Sequence, residues 1–148
     1  MNTLVKNKKA GFNYQFIDNF EAGIQLFGHE VKAIRIGKAS LEGAYIIIRG
    51  GEAFLVNATV SPYQVVNTPK NYDTERPRKL LLNRKELQKI ERELKHIGLT
   101  LVPIKWYNKN GLIKLGVALA RGKKKADKRE AIKERDTKRD IQRMLKNQ

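Results

Sequence analysis

Residues 121–148 of this 148-residue chain contain almost no side chains that could build a hydrophobic core. They hold twelve Lys or Arg and five Asp or Glu, a net charge of +7. A segment of low hydrophobicity and high net charge cannot offset the conformational entropy that folding removes. The sequence therefore predicts one folded domain over residues 1–120 and a separate basic tail over residues 121–148.

The first 120 residues are also basic, so the positive charge is not confined to the tail. They carry 19 basic and 10 acidic residues, which is +9 of the chain's +16. A field of this sign attracts polyphosphates and raises the rate at which they are encountered. Nucleic acid is therefore the first expected partner, and an anionic membrane surface is the alternative.

Several classes of function lack their required residues. The chain has no cysteine, which excludes disulfides, thiolate metal sites and cysteine nucleophiles. His29 and His96 are its only histidines and have no metal-ligand spacing, and no nucleophile elbow, P-loop or dinucleotide fingerprint occurs. No membrane span or signal peptide is apparent. We therefore expect no enzyme, no metal and no cofactor, and a cytoplasmic location.

Strand-like segments and turn signals alternate through the first 120 residues. Gly50-Gly51 and Asn110-Gly111 are two-residue connections typical of β-hairpins. Gly23 indicates a bulge or bend inside the first strand. The predicted strands cover residues 12–28, 39–49, 52–60, 78–82, 100–104 and 112–120.

Two helices are predicted between these strands. Residues 29–37 fit a short helix of about two turns. Residues 83–98 fit a longer one, which starts with Asn83 and Glu86 as a capping box and is closed by Gly98. Helices that interrupt short antiparallel strands favour a mainly β fold. We predict a small closed antiparallel barrel resembling the oligonucleotide-binding fold, with two to three peripheral helices; a mixed α+β sandwich is the alternative.

Two further segments are predicted to lack regular structure. Residues 1–11 are interpreted as a basic, mobile arm, and residues 61–77, with three prolines, as a long loop. In and after that loop, basic residues alternate with aromatic ones. Such side chains can neutralise phosphates and stack on unpaired bases. They are Tyr63, Lys70, Tyr72, Arg76, Arg78 and Lys79.

Glu30 is unusual as an acidic residue at the start of a helix in a basic protein. In one interpretation the helix dipole favours an acid at this position. In the other, the carboxylate accepts hydrogen bonds from base edges or ribose hydroxyls within a phosphate-binding surface. The residues alone favour the first interpretation.

The tail has helical spacing in spite of its polarity. Glu134 and Lys138 have the favourable i,i+4 order, and Ile141, Met144 and Leu145 form one small apolar face. That face is too small to hold a helix against the domain. We therefore predict a tail that is disordered when free and helical when bound.

Four segments, in order, are similar to a known family. FEAGIQLFGHEVKAIRIGKASL is close to the pattern EAGI-L-G-EVKS-R-GK, and GKKKADKR matches GKK-x-x-DKR. On these motifs the chain resembles the bacterial SsrA-binding protein (small protein B) family, which partners transfer-messenger RNA in ribosome rescue. Ala33, where Ser is common, and Pro77 are mild departures. The segments are Asn7-Lys8-Lys9-Ala10, residues 20–41, RKLLL at 78–82 and GKKKADKR at 122–129.

The resemblance implies a non-catalytic RNA-binding protein that delivers transfer-messenger RNA to stalled ribosomes. It implies binding of the tRNA-like part, so that protein and RNA together imitate a tRNA. Implied partners are that RNA, the small ribosomal subunit and, indirectly, elongation factor Tu and alanyl-tRNA synthetase; a monomer is expected, with no membrane partner. The implied RNA-binding residues are Asn7, Lys8, Lys9, Glu30, Lys32, Arg35, Arg78, Lys79, Leu80, Leu81 and Leu82. The implied ribosome-binding residues, for the decoding centre and the empty mRNA channel, are Gly122, Lys123, Lys124, Asp127, Lys128, Arg129, Met144 and Leu145.

Two alternatives compete with this function. A ribosomal or other translation-associated RNA-binding protein with a basic extension explains the charge and the tail equally well, but leaves the order of the motifs unexplained. A nuclease would need a metal-binding acidic cluster, and the sequence shows none.

Overall fold

The computed structural model describes residues 2–66 and 68–123, which form a mainly β fold with a few helices. The prediction of that class is confirmed, although the described residues form nine strands where six were expected. The strands are β1 (Asn2–Lys6), β2 (Tyr14–Ile24), β3 (Ala39–Ser40), β4 (Tyr45–Arg49), β5 (Glu52–Val56), β6 (Thr59–Val60), β7 (Arg78–Leu81), β8 (Leu99–Lys109) and β9 (Leu112–Gly122). The helices are α1 (Lys8–Asn13), α2 (Gly28–Arg35) and α3 (Arg84–Glu93).

Seven strands form one antiparallel sheet in the order β1-β8-β9-β2-β7-β5-β4, and β3 pairs with β6 separately. The prediction of a closed barrel is wrong, because this sheet has two edges, β1 and β4. Some Cα atoms of β4 lie within 8 Å of β8. However, β8 already pairs with β1. Asn7 also donates hydrogen bonds to the next two backbone carbonyls of β8, those of Ile104 and Pro103. The sheet therefore curls without closing.

The predicted N-terminal arm is instead part of the folded domain. Residues 2–6 form β1, where Leu4 and Val5 pack against the hydrophobic core. Asn7 then donates its backbone N–H to the Ile104 carbonyl and its Nδ2 to the Pro103 carbonyl, both at 2.8 Å. These bonds satisfy backbone carbonyls of β8 where the β1 pairing ends. Pairing with β8, together with the packing of Leu4 and Val5, holds this segment in the domain.

Local signals correctly predicted both hairpin turns and the starts of α2 and α3, whereas α1 was not predicted. Gly50 and Gly51 connect β4 to β5 with φ values of 60° and 74°, which are conformations that glycine adopts without strain. The Asn83 Oδ1 accepts a hydrogen bond from the Glu86 N–H at 2.8 Å, so the predicted cap of α3 is present. The helix ends at Glu93, earlier than predicted, and Ile97 is 98% exposed.

The core lies on the inner, concave side of the curled sheet. Leu55, Ile90, Trp106 and Leu115 are completely buried there. The opposite side of β2, β8 and β9 is only partly covered, by a smaller cluster around Ala118. The fold therefore leaves the outer surface at one end of these strands free to present polar side chains.

Candidate nucleic-acid interface

Glu30 is completely buried, which the sequence did not reveal. It lies in the first turn of α2, where its Oε1 accepts the backbone N–H of Phe27 at 2.8 Å. This bond is the side-chain half of a capping box, and an acid at this position is also favoured by the helix dipole. The interpretation of Glu30 as an acid favoured at the start of a helix is therefore correct, but it explains only one of the contacts of this carboxylate.

Three side chains from the loop and from β7 complete the environment of Glu30. Arg78 is fully buried, and its Nε donates to Glu30 Oε2 at 2.8 Å. Arg76 donates from Nε to Oε2 at 3.1 Å and from Nη2 to Oε1. The Tyr72 hydroxyl donates to Oε2 at 2.9 Å and accepts from Arg78 Nη2 at 3.1 Å. We call Glu30, Tyr72, Arg76 and Arg78 the buried ion cluster.

The buried ion cluster also fixes the loop before β7. Arg78 Nη1 donates to the carbonyls of Ala58 and Arg76, and its Nη2 donates to that of Thr74. One guanidinium thus satisfies three backbone acceptors besides the Glu30 carboxylate. Since Arg78 has five N–H donors in a rigid fork, it can bind all of these groups at once. The segment 61–77 is therefore tied to α2 and β7.

The Glu30 carboxylate stays ionised because its hydrogen bonds outweigh its burial. Burial alone would raise its pKa, but hydrogen bonds from Arg76, the Phe27 amide and Arg78 lower the pKa to about 2. Both oxygens already accept several donors, so a carboxylate with about four acceptor sites has no free capacity. In this arrangement Glu30 organises the site and has no surface to offer to RNA.

Acid should selectively weaken the domain through Glu30. Because its pKa falls from 4.5 to about 2 on folding, its contribution is full above pH 4.5 and is lost as the pH falls toward 2. That contribution is worth about 3 kcal/mol. Urea unfolding at a series of pH values should show a steeper loss in the wild type than in Glu30→Gln. Parallel pH profiles for the two proteins would contradict this assignment.

The other residues of the expected RNA site differ in their exposure and in their contacts. Asn7 is buried against β8, whereas Lys8 and Lys9 are exposed, and Lys9 forms an ion pair with Glu42. Lys32 is exposed, and its Nζ lies 5.8 Å from the centre of the Tyr63 ring. These lysines can bind phosphates, whereas Asn7 stabilises the fold through its hydrogen bonds to β8.

Other members of the expected site make contacts within the protein. The Arg35 Nη2 donates to the Gly111 carbonyl at 3.0 Å, which links α2 to the β8–β9 turn. Lys79 pairs with Glu52 at 3.0 Å. The three leucines divide: Leu80 is buried, Leu82 is half-buried and packs against the core, and Leu81 is 50% exposed. Only Leu81 offers a large apolar surface to a partner.

Leu81 belongs to a surface that we call the outer sheet face. On β2, Glu21 and Gly23 point outward because Ala22 between them is completely buried. Gly23 pairs with Leu81, and a Cβ on Gly23 would lie 3.1 Å from the Leu81 Cβ. A side chain there would crowd the leucine, so glycine keeps this face flat. The face consists of Glu21, Leu81, Lys105, Tyr107, Lys109 and Lys114.

Glu21 is the acid that this face presents to solvent. Its Oε2 accepts the Tyr107 hydroxyl at 2.6 Å, and Lys109 Nζ donates to Oε2 at 3.1 Å and to Oε1 at 3.3 Å. The hydrogen bonds from Tyr107 and Lys109 lower the pKa of Glu21, and burial and the same bond raise the pKa of Tyr107. Unlike Glu30, this side chain is 37% exposed and retains acceptor capacity.

Sequence reasoning did not single out Glu21, Tyr107 or Lys109. The available signal was strand alternation: Phe20 and Ala22 are apolar and flank an acid, which indicates an outward position. Lys109 and Lys114 flank the Asn110-Gly111 turn, which predicts that they lie near one another. What the pattern could not give is the pairing of β2 with β9, which brings Glu21 to these lysines.

Of the expected ribosome-binding residues, the structure describes Gly122 and Lys123. Gly122 ends β9 and pairs with Tyr14. Lys123 donates its backbone N–H to the Asn13 carbonyl at 2.9 Å and its Nζ to the Gly11 carbonyl at 3.1 Å. The chain thus leaves the domain beside α1. The remaining expected residues lie outside the described range; they are Lys124, Asp127, Lys128, Arg129, Met144 and Leu145.

The described residues show neither a cluster of metal ligands nor a membrane-spanning helix. Within residues 2–66 and 68–123, no group of three or more His, Asp or Glu is placed to hold a metal ion. None of the helices described there is long and apolar enough to cross a membrane.

Comparison with known proteins gives one family. The model of the SmpB protein family matches residues 4–147. An SsrA-binding protein of Trichormus variabilis is 47% identical over 144 residues, 97% of this chain and 93% of the relative. One of Chlorobaculum tepidum is 45% identical over 145 residues, 97% of this chain and 92% of the relative.

A solved structure supports the same relationship. It is described as "tmRNA-SmpB: a journey to the center of the bacterial ribosome", and one of its chains is 39% identical. The TM-score is 0.67, with 86% of this chain and 92% of that chain covered. Sequence similarity over nearly the whole length and a shared fold thus agree, and the chain belongs to the SmpB protein family.

Proposed function

We propose that this protein binds transfer-messenger RNA and brings it to stalled ribosomes for rescue. The observation that carries the proposal is the match to SsrA-binding proteins over 97% of the chain at 47% identity. The charge of +16 and the outer sheet face supply the physical means. Ion pairs between RNA phosphates and lysines supply affinity, and side chains that hydrogen-bond to bases supply selectivity among RNAs.

The outer sheet face is the surface best suited to contact this RNA. Lys105, Lys109 and Lys114 give it three cations against the one carboxylate of Glu21. Leu81 adds an exposed apolar surface that can pack on a base or a ribose. An exposed carboxylate among lysines can accept hydrogen bonds from base amino groups or ribose hydroxyls. Glu30 then serves RNA binding indirectly, because it holds α2 and the loop in place.

The tail has a separate role in this proposal. Protein and RNA together act as a tRNA-like unit, and residues 124–148 enter the decoding centre and the empty mRNA channel of the small subunit. These residues hold ten Lys or Arg and five Asp or Glu, and their net charge of +5 suits a path lined by ribosomal RNA. Elongation factor Tu and alanyl-tRNA synthetase are indirect partners through the RNA. The protein works as a cytoplasmic monomer and catalyses no reaction.

A competition gel shift tests the proposed function. Labelled transcript of the tRNA-like part of transfer-messenger RNA should bind the full chain, and an excess of bulk tRNA should not displace it. Raising the salt concentration should weaken binding to both RNAs but preserve the preference. Equal displacement by bulk tRNA would show a non-specific polyanion binder and would contradict the proposal.

Glu21→Gln should reduce the affinity for this RNA about tenfold, because a charged acceptor for base or ribose donors is lost. The melting temperature should change by less than about 3 °C, since the site is on the surface. Asp18→Asn is a matched control, because Asp18 also lies on β2, is 38% exposed and pairs with Lys89. Equal affinities of the two variants in gel shifts would remove Glu21 from the interface.

A further inference from the structure

A cleft of about 500 Å³ opens between the start of α2 and the loop before β7. It lies beside the buried ion cluster and apart from the outer sheet face. Its walls include the rings of Phe27, His29 and Tyr72 and the guanidinium of Arg76, and Asn71 and Asp73 stand at its rim. A volume of this size is ample for a planar heterocycle.

The walls of this cleft are flat and aromatic. Phe27 is 51% exposed, and Arg76 covers one side of its ring with Cζ 4.0 Å from the ring centre. The His29 and Tyr72 rings are perpendicular with centres 4.6 Å apart, and the Phe27 and His29 centres are 5.6 Å apart. Planar walls of this kind suit stacking by another ring.

The buried ion cluster holds these walls in one arrangement. The Tyr72 hydroxyl and the Arg76 guanidinium both donate to Glu30, and Glu30 accepts the Phe27 backbone N–H. Two rings and the guanidinium are therefore positioned by one carboxylate at the floor of the site. A site that is rigid before binding avoids the entropic cost of ordering its side chains.

The rim supplies polar groups and the surroundings supply positive charge. Asn71 is exposed and can donate and accept, while Asp73 is exposed and can accept even though its Oδ1 already binds the Glu75 N–H. Lys70, also exposed, precedes them. The floor has one net positive charge, because Arg76 and Arg78 are balanced by Glu30 alone. The polar groups at the rim can hydrogen-bond to the edge of a base, and the positive charge favours a phosphate just outside the cleft.

We propose that this cleft binds one unpaired nucleobase of the RNA, stacked against Phe27. The inference rests on the proposed function, because the base belongs to the RNA held on the outer sheet face. The two surfaces are close in the chain: Phe27 follows the end of β2 by three residues and Glu21 by six. Six residues span at most about 20 Å, so one bound RNA can reach both.

Phe27→Ala should weaken binding of the tRNA-like transcript to the full chain about tenfold, the size expected for losing one base–aromatic stack. Phe27→Trp keeps a planar ring and should bind within about threefold of the wild type. Ile36→Ala is the matched control, since Ile36 caps the other end of α2 and is 56% exposed. Equal affinities of the Phe27→Ala and Ile36→Ala variants would overturn the proposal.

A second measurement uses only the wild-type protein. The transcript carries 4-thiouridine at its unpaired positions, and the complex is irradiated and digested before mass spectrometry. Fragmentation of the crosslinked peptides locates the modified residue, and a crosslink on Phe27 or Tyr72 itself supports the proposal. Crosslinks confined to residues of the outer sheet face would overturn it while leaving RNA binding intact. Failure of the wild type to bind the transcript would instead reject the proposed function itself.

Discussion

Replacing Glu30 with alanine should lower the free energy of unfolding by about 3–5 kcal/mol. Arg78 is fully buried and would keep its charge without a counter-ion, since a guanidinium cannot be deprotonated in a protein. Arg76 and Tyr72 would lose the same acceptor. A loss of this size is a large part of the stability of an ordinary domain, so the variant should be partly unfolded in the cell.

Urea unfolding followed by circular dichroism measures this loss. Glu42→Ala is the control, because Glu42 is an exposed acid with a single lysine partner, Lys9, and its removal should leave the urea midpoint nearly unchanged. A Glu30→Ala protein that is as stable as the control, yet fails to bind RNA, would contradict the account. It would show that the carboxylate meets RNA directly.

Removing residues 124–148 should abolish tagging of stalled peptides and change the affinity for transfer-messenger RNA by no more than about threefold. The proposed RNA-binding face lies wholly before this point. Cutting after Lys123 preserves the pairing of Gly122 with Tyr14 and both hydrogen bonds of Lys123 to α1. Gel shifts and a tagging assay on stalled ribosomes measure the two activities separately.

The position of the cut matters for this experiment. Removing residues 121–148 deletes three pairs at the end of β9 and should also lower the melting temperature: Arg121 with Gln15, Arg121 with Leu99, and Gly122 with Tyr14. That shorter protein is the control for damage to the domain. If the chain that ends at Lys123 melts like the wild type but loses most of its RNA affinity, the domain does not bind the RNA without the tail, and the proposed separation of RNA binding from ribosome binding is wrong.

Local chemistry in the sequence predicted much of the fold. The Gly50-Gly51 and Asn110-Gly111 turns and the Asn83 cap depend only on neighbouring residues, and each is present. Closure of the sheet into a barrel depends on whether its two edge strands pair, and neighbouring residues in the sequence do not determine that. The strand at residues 2–6 was missed for a related reason, because it is held by its pairing with β8 rather than by its own composition.

The candidate site was less predictable than the fold. Glu30 was recognised as unusual, but its partners Tyr72, Arg76 and Arg78 follow it by 42 to 48 residues, and only the three-dimensional fold brings them together. A charged residue in a basic sequence is expected on the surface, so its burial could not be inferred. Glu21 was not singled out; strand alternation around it could have indicated an outward position, but not its neighbours on β8 and β9.

The RNA that copurifies with the protein shows which RNA it selects. The full chain carries an affinity tag, is expressed in a bacterium that contains transfer-messenger RNA, and is purified at moderate salt before the bound RNA is sequenced. Transfer-messenger RNA should be strongly enriched over its share of total RNA, and this enrichment should be weaker for Glu21→Gln than for Asp18→Asn. Recovery of ribosomal RNA and bulk tRNA in proportion to their abundance would contradict the proposed function.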